Sequence, residues 1–319
     1  MTFGLYIGAI VIGLALLTWS ADRFINGAVG CSDVLKLPPM VTGLVLVAFG
    51  TSAPEILVST LASLTGSPAL AVGNALGSNI ANIGLVLGFT ILIAPIPLKK
   101  AVLYRELPIL LAATMFAWLL FLDYRLSPVD GMLLLLMLAL SLGFLVWRNQ
   151  TGAEDIFEIP EQGHRLSHRQ AVFHFLSGLI ILIASARLLV WGASELAIGL
   201  GIDELIVGLT IVAIGTSLPE LAASLSAALK GHQDMALGNI VGSNLFNLLA
   251  VLAVPALLGP MDLSTEIILR DYGTMAALTV LLGVFAYSMQ RKGKLARLEG
   301  GILLAIYAGY TTWLVVSLV

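Results

Sequence analysis

The chain has 319 residues, 59% of them hydrophobic and 11% charged, with a mean hydropathy of +1.00 and a formal charge of −3. Soluble domains carry about 25% charged and about 45–50% apolar residues, so a water-soluble globular enzyme is excluded, and there is no basic field for nucleic acid. Cys31 is the only cysteine, which excludes an intrachain disulfide and a cysteine metal cluster.

A membrane-spanning helix needs roughly 20 mainly apolar residues, and ten stretches meet that test. The first is 3–31. Met1–Leu17 contains no Lys or Arg, so it lacks the basic start of a signal peptide and reads as a retained helix. Next come 39–64, after the joint Lys36-Leu37-Pro38-Pro39, and 69–94, after Thr65-Gly66-Ser67-Pro68; spans at 102–122 and 129–147 complete a first group. The longest hydrophilic stretch, Arg148–Arg169, holds Glu154, Asp155, Glu158 and Glu161 and reads as a solvated linker. A second group follows at 171–200, 204–229, 234–258, 271–289 and 298–318. The chain thus divides into 1–147, a linker at 148–170, and 171–319. These long continuous runs lack the ten-residue alternation of a membrane barrel. The expected class is an all-α polytopic membrane protein with ten transmembrane helices.

Cytoplasmic joints carry the excess of Lys and Arg. With the N-terminus outside, the inner joints hold twelve: Lys36, Lys99, Lys100, Arg105, Arg148, Arg165, Arg169, Lys230, Arg291, Lys292, Lys294 and Arg297. The outer joints hold Arg125 and Arg270 alone, while Arg23 and Arg187 fall within spans. Both termini are therefore expected outside, and the linker inside.

The two groups are copies. Residues 41–82 align without a gap on 206–247, a shift of 165, with 20 of 42 pairs identical. Val47-Ala48-Phe49-Gly50-Thr51-Ser52-Ala53-Pro54-Glu55 overlies Val212-Ala213-Ile214-Gly215-Thr216-Ser217-Leu218-Pro219-Glu220. Gly73-Asn74-Ala75-Leu76-Gly77-Ser78-Asn79-Ile80-Ala81-Asn82 overlies Gly238-Asn239-Ile240-Val241-Gly242-Ser243-Asn244-Leu245-Phe246-Asn247. The same shift sets Gly27-Ala28 on Gly192-Ala193 and Arg105-Glu106 on Arg270-Asp271. Five spans per copy is an odd number, so the second copy enters the membrane inverted. Inverted repeats build many secondary transporters, whose substrate site lies near the midplane where the repeats meet.

Glu55 and Glu220 fall mid-span, and no Lys or Arg occurs within their spans or the spans that follow them. An intramembrane carboxylate is costly unless paired or coordinated, so the simplest missing partner is a bound cation. Pro54 and Pro219 remove a backbone N–H each and are expected to open the helices, beside Gly50 and Gly215. Backbone oxygens of Ala48, Thr51, Ala213 and Thr216 would then be free. Hydroxyls come from Thr51, Ser52, Thr216 and Ser217, and amide oxygens from Asn82 and Asn247, with Ser78 and Ser243 one turn earlier on the same face. Every donor is oxygen, which suits the hard cations Ca²⁺ and Na⁺ rather than zinc or copper. Asn74, Asn79, Asn239 and Asn244 read more simply as bonds between helices than as ligands. Small residues at spacing four, Gly73, Gly77, Gly84, Gly88, Gly238 and Gly242, read as packing faces. An Asp22–Arg187 contact between the first and sixth spans is conceivable, with a static ion pair or a snorkelling residue the simpler reading.

The doubled Gly-Thr-Ser-x-Pro-Glu and Gly-Asn-x-x-Gly-Ser-Asn-x-x-Asn resembles the α-repeats of the cation/Ca²⁺ exchanger superfamily, on the branch of the prokaryotic Na⁺/Ca²⁺ exchanger-like antiporters. The resemblance covers almost the whole chain. It implies two inverted five-helix repeats with broken helices at the midplane. It implies that Glu55 and Glu220 bind Ca²⁺ and also serve Na⁺. Thr51 and Thr216 would give backbone oxygens to both ions, and Ser52, Ser78, Ser217 and Ser243 would bind Na⁺. Ala48 and Ala213 would offer carbonyls to the outer and inner Na⁺ sites, and Asn82 and Asn247 would close the central site. The first and sixth spans would slide across a rigid core, exchanging about three Na⁺ for one Ca²⁺ electrogenically. Some members, K⁺-dependent ones included, carry Asp where this chain has Asn247, which argues against K⁺ coupling. H⁺/Ca²⁺ antiport on the same scaffold is the alternative, ahead of a passive channel. No enzyme activity and no resident cofactor are expected. The expected partners are the transported ions and the lipid bilayer of a prokaryotic plasma membrane, and a monomer would suffice.

Overall fold

A computed structural model of the chain describes residues 2–98, 102–151, 166–202, 207, 211, 213–289 and 293–318. Among them nine helices are long and apolar enough to cross a bilayer. They are α1 (Thr2–Leu35), α2 (Pro39–Leu64), α3 (Pro68–Ile93), α4 (Val102–Leu120) and α5 (Pro128–Thr151) in the first half. In the second half they are α6 (His168–Gly199), α8 (Gln233–Leu258), α9 (Ile267–Ser288) and α10 (Arg297–Leu318). Of the expected span 204–229, the described parts are chiefly a helical turn at Ala213–Thr216 and helix α7, Leu218–Leu229. Most of 203–212, and the linker from 152 to 165 with its four acids, lie outside the described residues.

Helix ends follow local chemistry. Pro39 and Pro68 open α2 and α3 at first-turn positions, where no backbone N–H is needed. Ser167 and Gln170 cap α6 reciprocally, each side chain accepting from the other's backbone N–H. The α2–α3 and α7–α8 hairpins turn on Gly66 and Gly231, at φ +83° and +84°, a region a side chain disfavours.

Four two-residue strands tie the halves together: β1 (Ile96–Pro97), β2 (Arg125–Leu126), β3 (Met261–Asp262) and β4 (Lys294–Leu295). β1 pairs antiparallel with β4, and β2 with β3. A hydrogen-bonded pair of loops must lie on one side of a bilayer, so an even number of crossings separates its strands. Between β1 and β4, α4, α5, α6, α8 and α9 supply five. Helix α7, Leu218–Leu229, lies between the same two strands and is the described part of the remaining expected span. The 165-residue shift carries β1 onto β3 and α3 (Pro68–Ile93) onto α8 (Gln233–Leu258), whereas it sets β2 on 290–291, four residues before β4.

Polarity runs inside out. Leu5, Val11, Leu61, Leu70, Ile180 and Val316 are exposed around the outside, whereas Thr51, Ser52, Glu55, Asn82, Glu220, Ser243 and Asn247 are no more than 1% exposed at the centre. An apolar perimeter suits lipid, and the polar centre needs partners of its own.

Glycine sets how closely helices approach. In the antiparallel α1–α6 pair, a Cβ on Gly27 would sit 2.2 Å from the Phe175 nitrogen, and one on Gly178 would sit 2.5 Å from that of Phe24. Gly13 meets Leu189 and Gly192 meets Tyr6 in the same way, each at 2.9 Å. Gly13 and Gly178, like Gly27 and Gly192, are related by the repeat shift. Gly238 and Gly242 press on the Met40 and Leu44 carbonyls, and Gly84 and Gly88 on α10. The repeat shift would set Gly73 and Gly77 against 205–213, largely outside the described residues. Gly27→Val is expected to destabilise the protein by about 1–3 kcal/mol. Gly8→Val, where a Cβ meets nothing within 4 Å, is the control. Thermal unfolding in detergent reads the difference; equal midpoints would refute the close-packed seam.

The charges on α1 contact partners other than Arg187. Asp22 accepts a 2.5 Å hydrogen bond from Ser226 of α7 and lies 3.4 Å from the Lys230 ammonium, which also donates to Asn26 at 2.9 Å. Lys230 sits at the end of α7, within reach of α1, whereas Arg187 lies along α6. Arg23 donates to Ser177 at 2.8 Å and stacks over Trp19 and Phe173, so it stays at the α1–α6 seam.

Candidate cation site

The predicted ligands lie on four helices: Ala48, Thr51, Ser52 and Glu55 on α2, Ser78 and Asn82 on α3, Thr216, Ser217 and Glu220 on α7 and the turn before it, and Ser243 and Asn247 on α8. Ala213 begins that turn, and its side chain lies outside the described residues.

The helices are irregular here, but partly in unexpected places. α2 widens into a π-helical stretch at Thr42–Val47 and then runs helically from Ala48 to Leu64, straight through Pro54. Pro54 thus deprives the Gly50 carbonyl of its partner without cutting the helix, a correction to the expected opening. In the second copy the chain does break, at Ser217, with Pro219 in the first turn of α7. Further π-helical segments begin at Asn82 and at Asn247, ligand positions in both copies. Such wide turns cluster at functional sites, and no sequence signal announced them.

Both carboxylate oxygens of Glu55 and of Glu220 are buried without a hydrogen-bond partner in the protein. So are both amide atoms of Asn82 and of Asn247, the hydroxyls of Ser52 and Ser217, and the amide oxygens of Asn79 and Asn244. These are four pairs related by the 165-residue shift. An unmet buried polar group costs about 1–3 kcal/mol, and more when charged. A symmetric set of such oxygens around two carboxylates is what a cage for hard cations provides.

The Thr51 hydroxyl lies 3.4 Å from the Ala48 carbonyl, 3.3 Å from the Asn239 amide oxygen and 3.4 Å from the Ser243 hydroxyl. It therefore brings the acidic motif of one copy against the amide motif of the other. Glu220 lies within electrostatic range of Glu55. Ser78 and Ser243 are buried, and Thr216 is partly buried.

Asn74 donates to the Glu55 backbone carbonyl at 3.3 Å and to the Ser59 hydroxyl at 3.1 Å. Asn239 donates to the Glu220 carbonyl at 3.5 Å and to Ser224 at 2.9 Å. Both asparagines are helix-bonding, as expected. Ser59 and Ser224 are the residues sequence reasoning missed. The available signal was their identity under the repeat shift, four residues after each glutamate and so on the same helix face.

Nine membrane-length helices among the described residues, two halves matched in sequence and a buried cluster of unpartnered oxygens around paired carboxylates mark the chain as a membrane transporter. The profile described as sodium/calcium exchanger protein matches residues 5–147 and 170–316, and the chain belongs to that family. It is 43% identical to CaxA of Alkalimonas amylolytica, covering 94% of this chain and 96% of that protein. It is 28% identical to the sodium/calcium exchanger MaX1 of Methanosarcina acetivorans, covering 94% and 96%. The fold matches a solved structure of the sodium-calcium exchanger NCX_Mj with a TM-score of 0.83 and 33% identity, over 97% of this chain and 99% of that one.

Proposed function

We propose that the chain is a secondary antiporter that exports Ca²⁺ in exchange for Na⁺ by alternating access, in a prokaryotic plasma membrane with both termini outside. The observation that carries this reading is the set of unpartnered oxygens on Glu55, Glu220, Ser52, Ser217, Asn82 and Asn247. Two carboxylates neutralise one Ca²⁺, and the same pair with neutral oxygens serves Na⁺ ions in its place, so the ions compete for one cage. Thr51, Thr216, Ser78, Ser243 and the Ala48 and Ala213 carbonyls complete the ligand set. Exchange of about three Na⁺ for one Ca²⁺ moves one net charge per cycle, worth about 2.3 kcal/mol per 100 mV. The α1–α6 pair, sealed by its own glycines, slides as one body over the remaining helices and opens the cage to either side.

Radioactive Ca²⁺ uptake into proteoliposomes tests the coupling. Vesicles loaded with Na⁺ are expected to take up Ca²⁺, and those loaded with K⁺ or choline are not. Three Na⁺ leaving for each Ca²⁺ entering carry one net positive charge out of the vesicle, so an inside-positive potential is expected to speed the uptake. Acceleration is the predicted sign. Uptake indifferent to Na⁺ but driven by an imposed proton gradient would replace this reading with H⁺/Ca²⁺ exchange.

A further inference from the structure

We propose that Asn239 and Ser224 are positioning residues that set the spacing of the two carboxylates, and through it the preference for Ca²⁺ over Na⁺. The inference rests on the reading of Glu55 and Glu220 as Ca²⁺ ligands. The Asn239 side chain stands between the copies: its oxygen faces the Thr51 hydroxyl at 3.3 Å, and its nitrogen donates to the Glu220 carbonyl at 3.5 Å and to Ser224 at 2.9 Å. One amide therefore links the turn that leads to Glu55 with the backbone of Glu220. All three uses are needed at once, an acceptor on one side and two donors on the other. A carboxylate at this position would turn an acceptor toward the Glu220 carbonyl. Asn239 is 1% exposed and Ser224 is fully buried, so water offers no substitute.

Asn74 and Ser59 hold the Glu55 carbonyl in the matching way. Each glutamate's backbone is thus tied by an asparagine from the neighbouring helix while its carboxylate stays unbonded. The consequence for selectivity follows from charge and geometry. Ca²⁺ must draw both carboxylates into one shell at about 2.3–2.6 Å. A Na⁺ ion is served by one carboxylate or by neutral oxygens. An error in the distance between the glutamates therefore weakens Ca²⁺ binding more than Na⁺ binding.

The test is equilibrium binding to the purified full chain in detergent, with radioactive Ca²⁺ for one ion and the Na⁺-dependent rise in unfolding temperature for the other. Ser224→Ala is expected to raise the Ca²⁺ half-saturation concentration about five- to tenfold, the size of one lost buried hydrogen bond, with a smaller change for Na⁺. Ser224→Thr, which keeps the hydroxyl, is expected to restore Ca²⁺ binding, and Asn239→Asp to exceed the Ala variant's defect. Equal shifts for both ions, no shift for either, or a Thr variant as impaired as Ala would overturn the proposal. If Asn239→Asp yields no folded protein, the Ser224 pair decides alone. A wild-type chain that bound no Ca²⁺ would overturn the reading of the glutamates and this proposal with it, a result distinct from a parallel shift in the variants.

Discussion

Replacing either Glu55 or Glu220 with Gln is expected to abolish Na⁺-driven Ca²⁺ uptake while leaving the fold intact. Removing one partner from a buried ionic cluster costs about 3 kcal/mol or more, which is about a hundredfold in occupancy. The two substitutions are expected to be equally damaging, since the residues hold equivalent places in the two copies and are both about 1% exposed. Stability should move the other way. Without Ca²⁺, four buried carboxylate oxygens have no partner in the protein, so a neutral amide removes a burden, and each Gln variant is expected to unfold no earlier than the wild type. Added Ca²⁺ should raise the unfolding temperature of the wild type alone, because a ligand stabilises the state that binds it. Uptake preserved in Glu55→Gln would remove the carboxylate pair from the mechanism. A variant that merely misfolds would show a lowered midpoint in Ca²⁺-free solution, so the two failures separate.

Tying α1 to α7 is expected to arrest transport, and tying α1 to α6 is not. Asp22 and Ser226 approach to 2.5 Å across the first boundary, and a Cβ on Gly30 would lie 2.7 Å from that of Ala171 across the second. Cysteines at 22 and 226, in a background with Cys31→Ser, are expected to lose Na⁺-driven Ca²⁺ flux on oxidation and to regain it on reduction. Cysteines at 30 and 171 are expected to keep their flux, since α1 and α6 travel together. The contrast follows from the packing: four glycines seal the α1–α6 seam at backbone distance, whereas α1 meets α7 through small apolar side chains such as Ala223 and Ala227 and, at the end of α7, through Asp22, Asn26 and Lys230, polar contacts that exchange partners at little cost. Flux that survived the first cross-link would mean that α1 does not move against the body holding the site. Arrest by the second would mean that α1 and α6 move separately.

Much of this was legible in the sequence because the membrane constrains it so strongly. A bilayer forces every backbone group to pair within helices, so runs of about 20 apolar residues marked the spans, and nine of the ten expected spans are helices long and apolar enough to cross among the described residues. The doubled polar motif, with Glu55 over Glu220 and Asn82 over Asn247, pointed to one composite site, since such residues are too costly in lipid to be idle. Other features were out of reach. The strands that pair the loops of the two halves are only two residues long and carry no sequence pattern. Asp22 and Arg187 hold equivalent places in the repeat, yet the ammonium beside Asp22 is that of Lys230. The repeat register says which residues are equivalent, not which of them touch.

The sequence by itself determined that the chain lies in a membrane, that its two halves repeat a polar pattern and that this pattern carries two acids, because apolar length and a repeated polar pattern are one-dimensional properties. Tertiary structure alone decided how the copies meet. It placed Thr51 of one against Asn239 and Ser243 of the other, put the irregular turns at Thr42–Val47, Asn82–Leu87 and Asn247–Val251, and carried α2 unbroken through Pro54. Those outcomes depend on distances between segments far apart in the chain and on which backbone groups find partners there, a balance settled only when all the helices pack together.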